Sequence, residues 1–376
     1  MIKEPILGEN NLVAFTPTDE QQHLIEVIKR FAKNDIQPMA HEADENERIP
    51  ADIIKTGWDM GLLQTAIPEE LGGLGEMSAL TGVLAAEAFA YGDLSTALQI
   101  MTPALFTYPI ILYGTAEQRE QFLPLFLEDQ VPHASAALLE PGVFFDPHNL
   151  KTTATIHGAK VTLNGEKAYV PLGASADWLL IYARESESGQ TDAYLVEAGT
   201  PGLMIGKREP LMGIRALPTY RVTLANAEIN LEARLGGAVG SNFDTLLNRS
   251  NVALAALAVG VANAAAEYAR EYAKQRIQFG VPIAQKQAIA FMLAEMAIEV
   301  DAARLMVWEA AWKLDQGQDA SKEAYLAKQY ADKAVMFVTD SAVQTLGGYG
   351  FIREYPAERW LRNARGFTTF HGMAIV

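Results

Sequence analysis

The sequence predicts an α+β fold in which an N-terminal helical domain, a central antiparallel β domain and a C-terminal four-helix bundle follow one another. Apolar residues recur at helical spacing before residue 130, alternating β-branched stretches fill residues 151–230, and long alanine-rich helical segments follow. We therefore expect three domains over residues 1–130, 131–240 and 241–376. With 376 residues, of which 49% are hydrophobic and 20% charged, the chain has the composition of a globular protein with a large core.

The N-terminal region begins with a capped amphipathic helix. Thr18 or Asp19 can cap it, and apolar residues then recur with helical period as far as Phe31. Pro38 is expected to end this helix, because proline cannot continue the backbone hydrogen-bond ladder. Further helices are predicted over residues 51–60, 80–91, 94–113 and 116–127, with a glycine-punctuated loop at 67–75.

The residue pattern of the central region is typical of a small β domain. Stretches rich in valine, threonine and tyrosine alternate with glycine and proline between residues 151 and 230. Asn164 and Gly165 separate two of these stretches and predict a hairpin turn, because this dipeptide favours the type I′ turn. The pattern is typical of an antiparallel sandwich or barrel.

The C-terminal region predicts the longest helices, with apolar stripes that favour packing as a bundle. The apolar stretch at 252–263 is too short to span a bilayer, so we expect it to be a buried core helix. The predicted helices cover residues 243–275, 287–316, 321–346 and 355–363.

Composition excludes several classes of function. The net charge of −16 argues against binding to nucleic acid or to an anionic membrane surface. The absence of cysteine removes disulfides, thiolate nucleophiles and cysteine-ligated metals. The six histidines form no pair with metal-ligand spacing, so no metal site is expected. The first residues lack the pattern of a signal peptide, which predicts a cytoplasmic protein.

Five segments, taken in order, resemble the acyl-CoA dehydrogenase family of flavoproteins. The segments are IPEELGGLG at 67–75, LEPGVFFD at 139–146, NGEKAYVPLGASADW at 164–178, QRIQFGVPIAQKQAIAFMLAEM at 275–296 and QTLGGYGFIREYPAERWLRNA at 344–364. Together they extend over most of the chain, and each alone is a weak signal. The resemblance implies a dimer or tetramer that binds FAD, dehydrogenates an acyl-CoA thioester between Cα and Cβ, and passes electrons to an electron-transfer flavoprotein.

The best-kept positions are those that the resemblance assigns to the FAD of a neighbouring subunit. Arg276 has a guanidinium suited to a pyrophosphate, and Phe279 is expected near the adenine end. Gln287 and Gln344 offer amide groups, while Gly347 and Gly348 allow a close approach of the backbone to a cofactor. Read singly, Arg276 fits a surface helix end equally well and the two glycines fit a plain turn.

The position of the catalytic base departs from the family. His371 stands where the resemblance places the glutamate that removes the α-proton, with Phe370 and Gly372 beside it as candidate substrate contacts. Ser250 and Asn251 occupy the alternative position on the first long C-terminal helix, so a carboxylate is missing there too. A neutral imidazole can accept a proton but becomes cationic when it does. His371 is therefore either the base or a group that fills the site without reacting.

The segments that resemble the flavin loops depart as well. Leu139 and Phe145 replace residues with hydroxyl groups, and Phe144 adds further bulk. Tyr169 replaces a tryptophan, and Pro171 replaces a threonine and offers neither an N–H nor a hydroxyl to the flavin. The sequence ends at Val376, soon after the segment with His371, so we expect no further helix to close the flavin site.

This uneven loss of motifs predicts a base-less subunit of a heterotetramer, which completes the flavin site of a second, unlike chain of the family. Three alternatives stay open. The first is a self-sufficient enzyme, such as a homotetramer, with an unusual base. The second is a flavin-binding member with different chemistry, and the third is a catalytically inactive structural subunit.

Overall fold

The computed structural model describes residues 16–376, and these form a helical region, a β-sheet and a second helical region in chain order. The predicted fold class is confirmed. The first region contains α1 Asp19–Phe31, α2 Gln37–Asn46, α3 Ala51–Trp58, α4 Leu62–Ala66, α5 Ala79–Gly92, α6 Leu94–Met101, α7 Ala104–Tyr113 and α8 Ala116–Phe122.

Helix α1 begins as the sequence predicts but does not end where expected. The Thr18 hydroxyl accepts a hydrogen bond from the backbone N–H of Gln21 (3.2 Å), and the Gln21 side chain accepts one from the Thr18 N–H (3.0 Å). The prediction that Pro38 ends this run is wrong. A π-helical turn over Ala32–Ile36 carries the chain into α2, where Pro38 lies in the first turn and needs no intrahelical partner.

The helix predicted over residues 94–113 is two helices instead of one. Between Met101 and Ala104 the axis bends by 40°, and Pro103 lies at this break, where it forms the N-cap of α7. The helix predicted over 116–127 is α-helical only as far as Phe122, after which Leu123–Leu127 form a 3₁₀ turn with Pro124 near its start.

The β region forms a seven-stranded sheet, which is mostly antiparallel. Strand β4 pairs antiparallel with β5 but parallel with β1 and with the start of β2, so the sheet is mixed at this side. The strands are β1 Ala134–Ala137, β2 Thr153–His157, β3 Lys160–Pro171, β4 Trp178–Glu185, β5 Thr191–Glu197, β6 Leu203–Arg208 and β7 Thr219–Asn230.

The predicted hairpin turn at Asn164 and Gly165 is a β-bulge inside the continuous strand β3. The register against β7 shifts between Leu163 and Gly165, and the side chain of Asn164 accepts a hydrogen bond from the Asn226 N–H (2.8 Å). A Cβ on Gly165 would lie 2.6 Å from Thr152, which explains the glycine. The true turn lies at residues 158–159, between β2 and β3.

The C-terminal region is the predicted helical bundle. Its central helix, α9 (Phe243–Gln275), is long and apolar enough to cross a membrane, yet 78% of its most apolar window is buried inside the protein, as expected for a core helix. A Cβ on Gly260 of α9 would lie 2.3 Å from the Glu87 carbonyl of α5, so these two helices pack closely. The elements are α9 Phe243–Gln275, β8 Ile277–Gln278, β9 Val281–Pro282, α10 Gln287–Asp315, α11 Ser321–Leu346, α12 Gly348–Phe351 and α13 Ala357–Gly366.

Candidate functional site

Eight of the thirteen predicted site residues line two separate cavities. The first, here called the loop cavity, has a volume of about 380 Å³ and lies between the loop after β1, the end of β3 and the segment after α13. It is lined by Leu139, Glu140, Pro141, Gly142, Val143, Phe144, Phe145, Ala168, Tyr169, Glu209, Arg221, Thr368, Thr369 and His371. The second, the helix-end cavity, has a volume of about 450 Å³. It is lined by Tyr272, Arg276, Gln278, Ile283, Gln344, Thr345, Leu346, Gly347, Gly348, Tyr349 and Ile352.

A buried ion pair fixes one wall of the loop cavity. The Nζ of Lys167 on β3 donates to the Leu138 carbonyl (3.1 Å) and to Oε1 of Glu140 (2.9 Å). The Glu140 carboxylate also accepts the backbone N–H groups of Lys151 and Thr152. Burial lowers the pKa of Lys167 to about 8, although the Glu140 charge opposes this shift. The loop that begins with Leu139 is therefore held to the sheet by this ion pair and its hydrogen bonds.

The opposite wall is a tightly packed turn that presents His371. A Cβ on Gly366 would lie 2.1 Å from the Phe370 ring, and one on Gly372 would lie 2.7 Å from Leu138. Gly372 has φ +65°, which favours glycine. The segment between these two glycines is therefore held at both ends.

The imidazole of His371 is partly buried beside Phe145. The two ring centroids are 5.2 Å apart, and His371 Nδ1 is buried without a hydrogen-bond partner among residues 16–376. Burial and the nearby Lys328 charge lower the pKa of His371 to about 4. At neutral pH this side chain is an uncharged and weakly basic group.

The predicted flavin contacts on β3 have different surroundings. Tyr169 lines the loop cavity in a left-handed conformation (φ 53°), and its N–H donates to the Glu209 carboxylate (2.8 Å). Pro171 is buried, and its carbonyl accepts a hydrogen bond from the Ser135 hydroxyl (2.6 Å). The structure thus brings Tyr169 to the cavity, whereas Pro171 lies outside the cavity lining.

The helix-end cavity gathers four of the residues predicted to serve a neighbouring subunit. Arg276 follows the last residue of α9, and its guanidinium lies 5.4 Å from the Tyr349 ring centroid. In the described part of the chain, this guanidinium has no carboxylate partner. Gly347 ends α11 with φ 60°, and a Cβ built there or on Gly348 would meet only open space. Gln344 completes this open cationic groove.

The remaining predicted residues lie outside both cavity linings. Phe279 is 93% exposed at the tip of the β8–β9 hairpin, and Gln287 is exposed at the start of α10. Phe370 is buried in the core, while Gly372 packs on Leu138. Their assignment to cofactor or substrate stays a prediction.

Sequence reasoning missed several residues of the loop cavity. Glu209 and Arg221 approach each other to 3.9 Å, because β6 and β7 are antiparallel neighbours that bring positions 208 and 220 into register. Only the strand pairing could have revealed them. Thr368 and Thr369 also line the cavity, three and two residues before His371.

Comparison with known proteins identifies the family for nearly the whole chain. Models described as the acyl-CoA dehydrogenase N-terminal, middle and C-terminal domains match residues 18–130, 135–227 and 242–374. An acyl-CoA dehydrogenase of Bacillus subtilis is 35% identical, with 94% of this chain and 95% of that protein covered. The cyclohex-1-ene-1-carbonyl-CoA dehydrogenase of Syntrophus aciditrophicus is 37% identical, with 93% and 85% covered. The solved butyryl-CoA dehydrogenase of Megasphaera elsdenii superposes with a TM-score of 0.86 at 32% identity, with 95% of each chain covered.

Proposed function

The chain belongs to the acyl-CoA dehydrogenase family, whose cofactor is FAD, and we propose that it acts as a base-less subunit that completes the flavin site of a partner chain. The observation that carries the proposal is the contrast between the two cavities. The helix-end cavity has a cationic, glycine-lined groove, whereas the loop cavity has a weakly basic imidazole at the position that the resemblance assigns to the base.

The residues of the helix-end cavity fit a dinucleotide cofactor. Arg276 has a guanidinium free of carboxylate partners in the described chain, and such a group matches a pyrophosphate by charge and geometry. Gly347 and Gly348 leave open space above the backbone, and Tyr349 adds an aromatic face. FAD, when bound, supplies the oxidant for the acyl group. Arg276, Gln344, Gly347 and Gly348 would hold it from this side.

The loop cavity fits the same cofactor less well on this chain. The Tyr169 N–H is already engaged by Glu209, and Pro171 has no N–H to offer. Phe145 occupies space beside His371 and has no hydroxyl. A flavin bound here would therefore find fewer hydrogen-bond donors, at a cost of about 1 kcal/mol for each bond lost.

Exposed apolar residues support association through the C-terminal helices. Phe291, Ile298 and Leu305 are spaced by seven residues along α10, so they lie along one side of that helix, and all three are exposed. Phe279 and Phe351 are also exposed, at the β8–β9 hairpin tip and at the end of α12. We propose a heterotetramer in the cytoplasm that acts on an acyl-CoA thioester and delivers electrons to an electron-transfer flavoprotein.

A second candidate is a self-sufficient dehydrogenase in which His371 is the base. It is supported by the unpartnered Nδ1 of His371, which is free to accept a proton. Its weakness is the low pKa of His371, since a useful base has a pKa close to the working pH.

The deciding experiment measures bound flavin by absorbance. The chain is purified alone and after co-expression with a family member that carries glutamate at the position of His371. We expect a colourless or weakly coloured chain alone and full flavin content in the complex. One FAD per chain together with dehydrogenase turnover by the chain alone would overturn the proposal.

The complex also offers a matched pair of variants. Arg276→Gln should lower the affinity of the complex for FAD by about tenfold or more, as expected for a lost charge-assisted hydrogen bond. Arg270→Gln is the control, because Arg270 lies on the same helix but is exposed, outside the cavity lining and paired with Glu271. Equal flavin affinity in the two variants would contradict a role for the helix-end cavity.

A further inference from the structure

Lys328 of α11 is a buried cation behind the segment that carries His371. Its side chain is 5% exposed, and its Nζ donates to both carboxylate oxygens of Asp332 (2.8 and 2.6 Å). The third donor reaches the carbonyl of Phe367 at 2.7 Å. All three ammonium protons therefore have acceptors, as a buried lysine requires.

The contact with Phe367 ties this ion pair to the candidate site. Phe367 is the C-cap of α13, so the ammonium meets a carbonyl that the end of the helix leaves without an intrahelical partner. The chain then turns back through hydrogen bonds from the Thr369 and Phe370 N–H groups to the Gly366 carbonyl. His371 follows directly, so the position of its backbone depends on where Phe367 is held.

Lys328 also acts on this position through its charge. Its ammonium disfavours a second positive charge on the imidazole of His371, which adds to the effect of burial. The charged side chains that line the loop cavity each have an opposite charge nearby. Glu209 lies 3.9 Å from Arg221, and Glu140 pairs with Lys167.

Burial and mutual attraction act in opposite directions on the Lys328–Asp332 pair. Burial lowers the pKa of Lys328 and raises the pKa of Asp332, while the attraction between the two groups opposes both shifts. The ammonium form of Lys328 donates to three acceptors, one of which is the Phe367 carbonyl. A neutral amine would lose part of these hydrogen bonds.

We propose that Lys328 is a positioning residue that fixes the segment from Phe367 to Gly372 and makes position 371 suited to a neutral or anionic group. This inference relies on the proposed function only for the placement of residue 371 in the site. It explains why His371 is poorly suited to act as a base, because accepting a proton creates a cation that this environment disfavours.

The test uses a thiol as a reporter, because the sequence contains no cysteine. His371→Cys places the single thiol of the chain at the site, and its reaction with a disulfide reagent is followed against pH without flavin or substrate. The midpoint of this profile reports the pKa of the introduced thiol. The same substitution is then made in a Lys328→Met/Asp332→Ala background, which removes both charges so that neither is left buried alone.

We expect the midpoint to rise by roughly half a pH unit or more when Lys328 and Asp332 are removed. The charge that acts on position 371 is that of Lys328 and not that of Asp332, and a nearby cation favours the thiolate. Lys328→Arg with Asp332 intact keeps the positive charge, so the midpoint at position 371 should stay at its lower value. Thr369→Cys is the control, since Thr369 is exposed in the same segment and should show a much smaller shift.

Equal midpoints at position 371 with and without Lys328, in variants with native circular dichroism, would overturn the proposal. Equal shifts at positions 369 and 371 would overturn it too, because they would indicate a general loosening of the segment. Neither result depends on FAD or on a partner chain, so the outcome is separate from that of the proposed function.

Discussion

His371→Glu is the substitution that most directly tests the electrostatics of the loop cavity. It places a carboxylate on a segment that Lys328 and the packing of Gly366 and Gly372 already hold. The wild-type imidazole has a pKa of about 4, so its proton affinity is about a thousandfold below that of a group that titrates at pH 7. The introduced carboxylate stays anionic more readily beside Lys328, because the ammonium opposes the effect of burial.

The expected result is a gain of activity. A positioned general base contributes about 10²–10⁴-fold to a rate, and we expect His371→Glu to reach at least the lower end of this range. The assay is single-turnover reduction of FAD, supplied in excess to the purified chain because its own flavin affinity is expected to be low. Acyl-CoA thioesters of several chain lengths are the reductants, and loss of flavin absorbance is the signal. His371→Gln is the matched control, because glutamine has the shape of glutamate without its charge.

Two separate results are expected of these variants. The wild type and His371→Gln should reduce flavin at similar, low rates, and His371→Glu should exceed both. A large loss of rate in His371→Gln, with no gain in His371→Glu, would refute the reasoning. That result would identify the imidazole as the working base and favour the self-sufficient enzyme.

Three further predictions concern stability and oligomeric state. Lys167→Met should lower the free energy of unfolding in urea by about 3–5 kcal/mol because it leaves Glu140 buried and unpaired, whereas Lys160→Met, on the exposed face of the same strand, should cost at most about 1 kcal/mol. The pKa of His371 is lowered from 6.5 to about 4 on folding, so the unfolded chain binds more protons between these values and stability falls as pH falls from 6.5 to 4. The free energy of unfolding should fall by about 3 kcal/mol over this pH range, and this loss should be absent in His371→Gln. Equal losses in both proteins would show that His371 is not their cause. Leu305→Glu places charge on the exposed apolar side of α10 and should shift the assembly to smaller species in sedimentation, and an unchanged profile would exclude that face as an interface.

The sequence predicted the fold best where one local signal agreed with the tertiary packing. The helix beginning at Thr18 has its capping box, and the helix predicted over residues 321–346 has those same bounds in the structure. Pro38 and the Asn164–Gly165 pair misled the prediction because each residue type suits more than one setting. Proline also fits the first turn of a new helix, and glycine in a strand also marks a bulge.

Eight of the thirteen predicted site residues line one of the two cavities, and their roles there stay predictions. Leu139, Phe145, Tyr169 and His371 meet in one cavity although more than 200 residues separate the first from the last. Pro171 lies two residues after Tyr169, yet it is buried away from that cavity. The register of β3 shifts between 167 and 170, so the alternation of side chains between the two faces of the sheet cannot be followed through this stretch. Lys328 was missed because its i,i+4 spacing with Asp332 reads as an ordinary surface pair on a helix.

The proposed function requires a chain of this family to lack its base and keep its fold, and the geometry is compatible with that requirement. The segment around residue 371 is held by contacts of Lys328, Gly366 and Gly372 that do not involve the side chain at position 371 itself. Exchanging a carboxylate for an imidazole there leaves these contacts in place and alters only charge and basicity. The residues of the helix-end cavity lie on other elements, so they can be retained independently. The proposed function, in which this subunit completes a partner's site, would account for a retained groove in a chain whose residue 371 is only weakly basic.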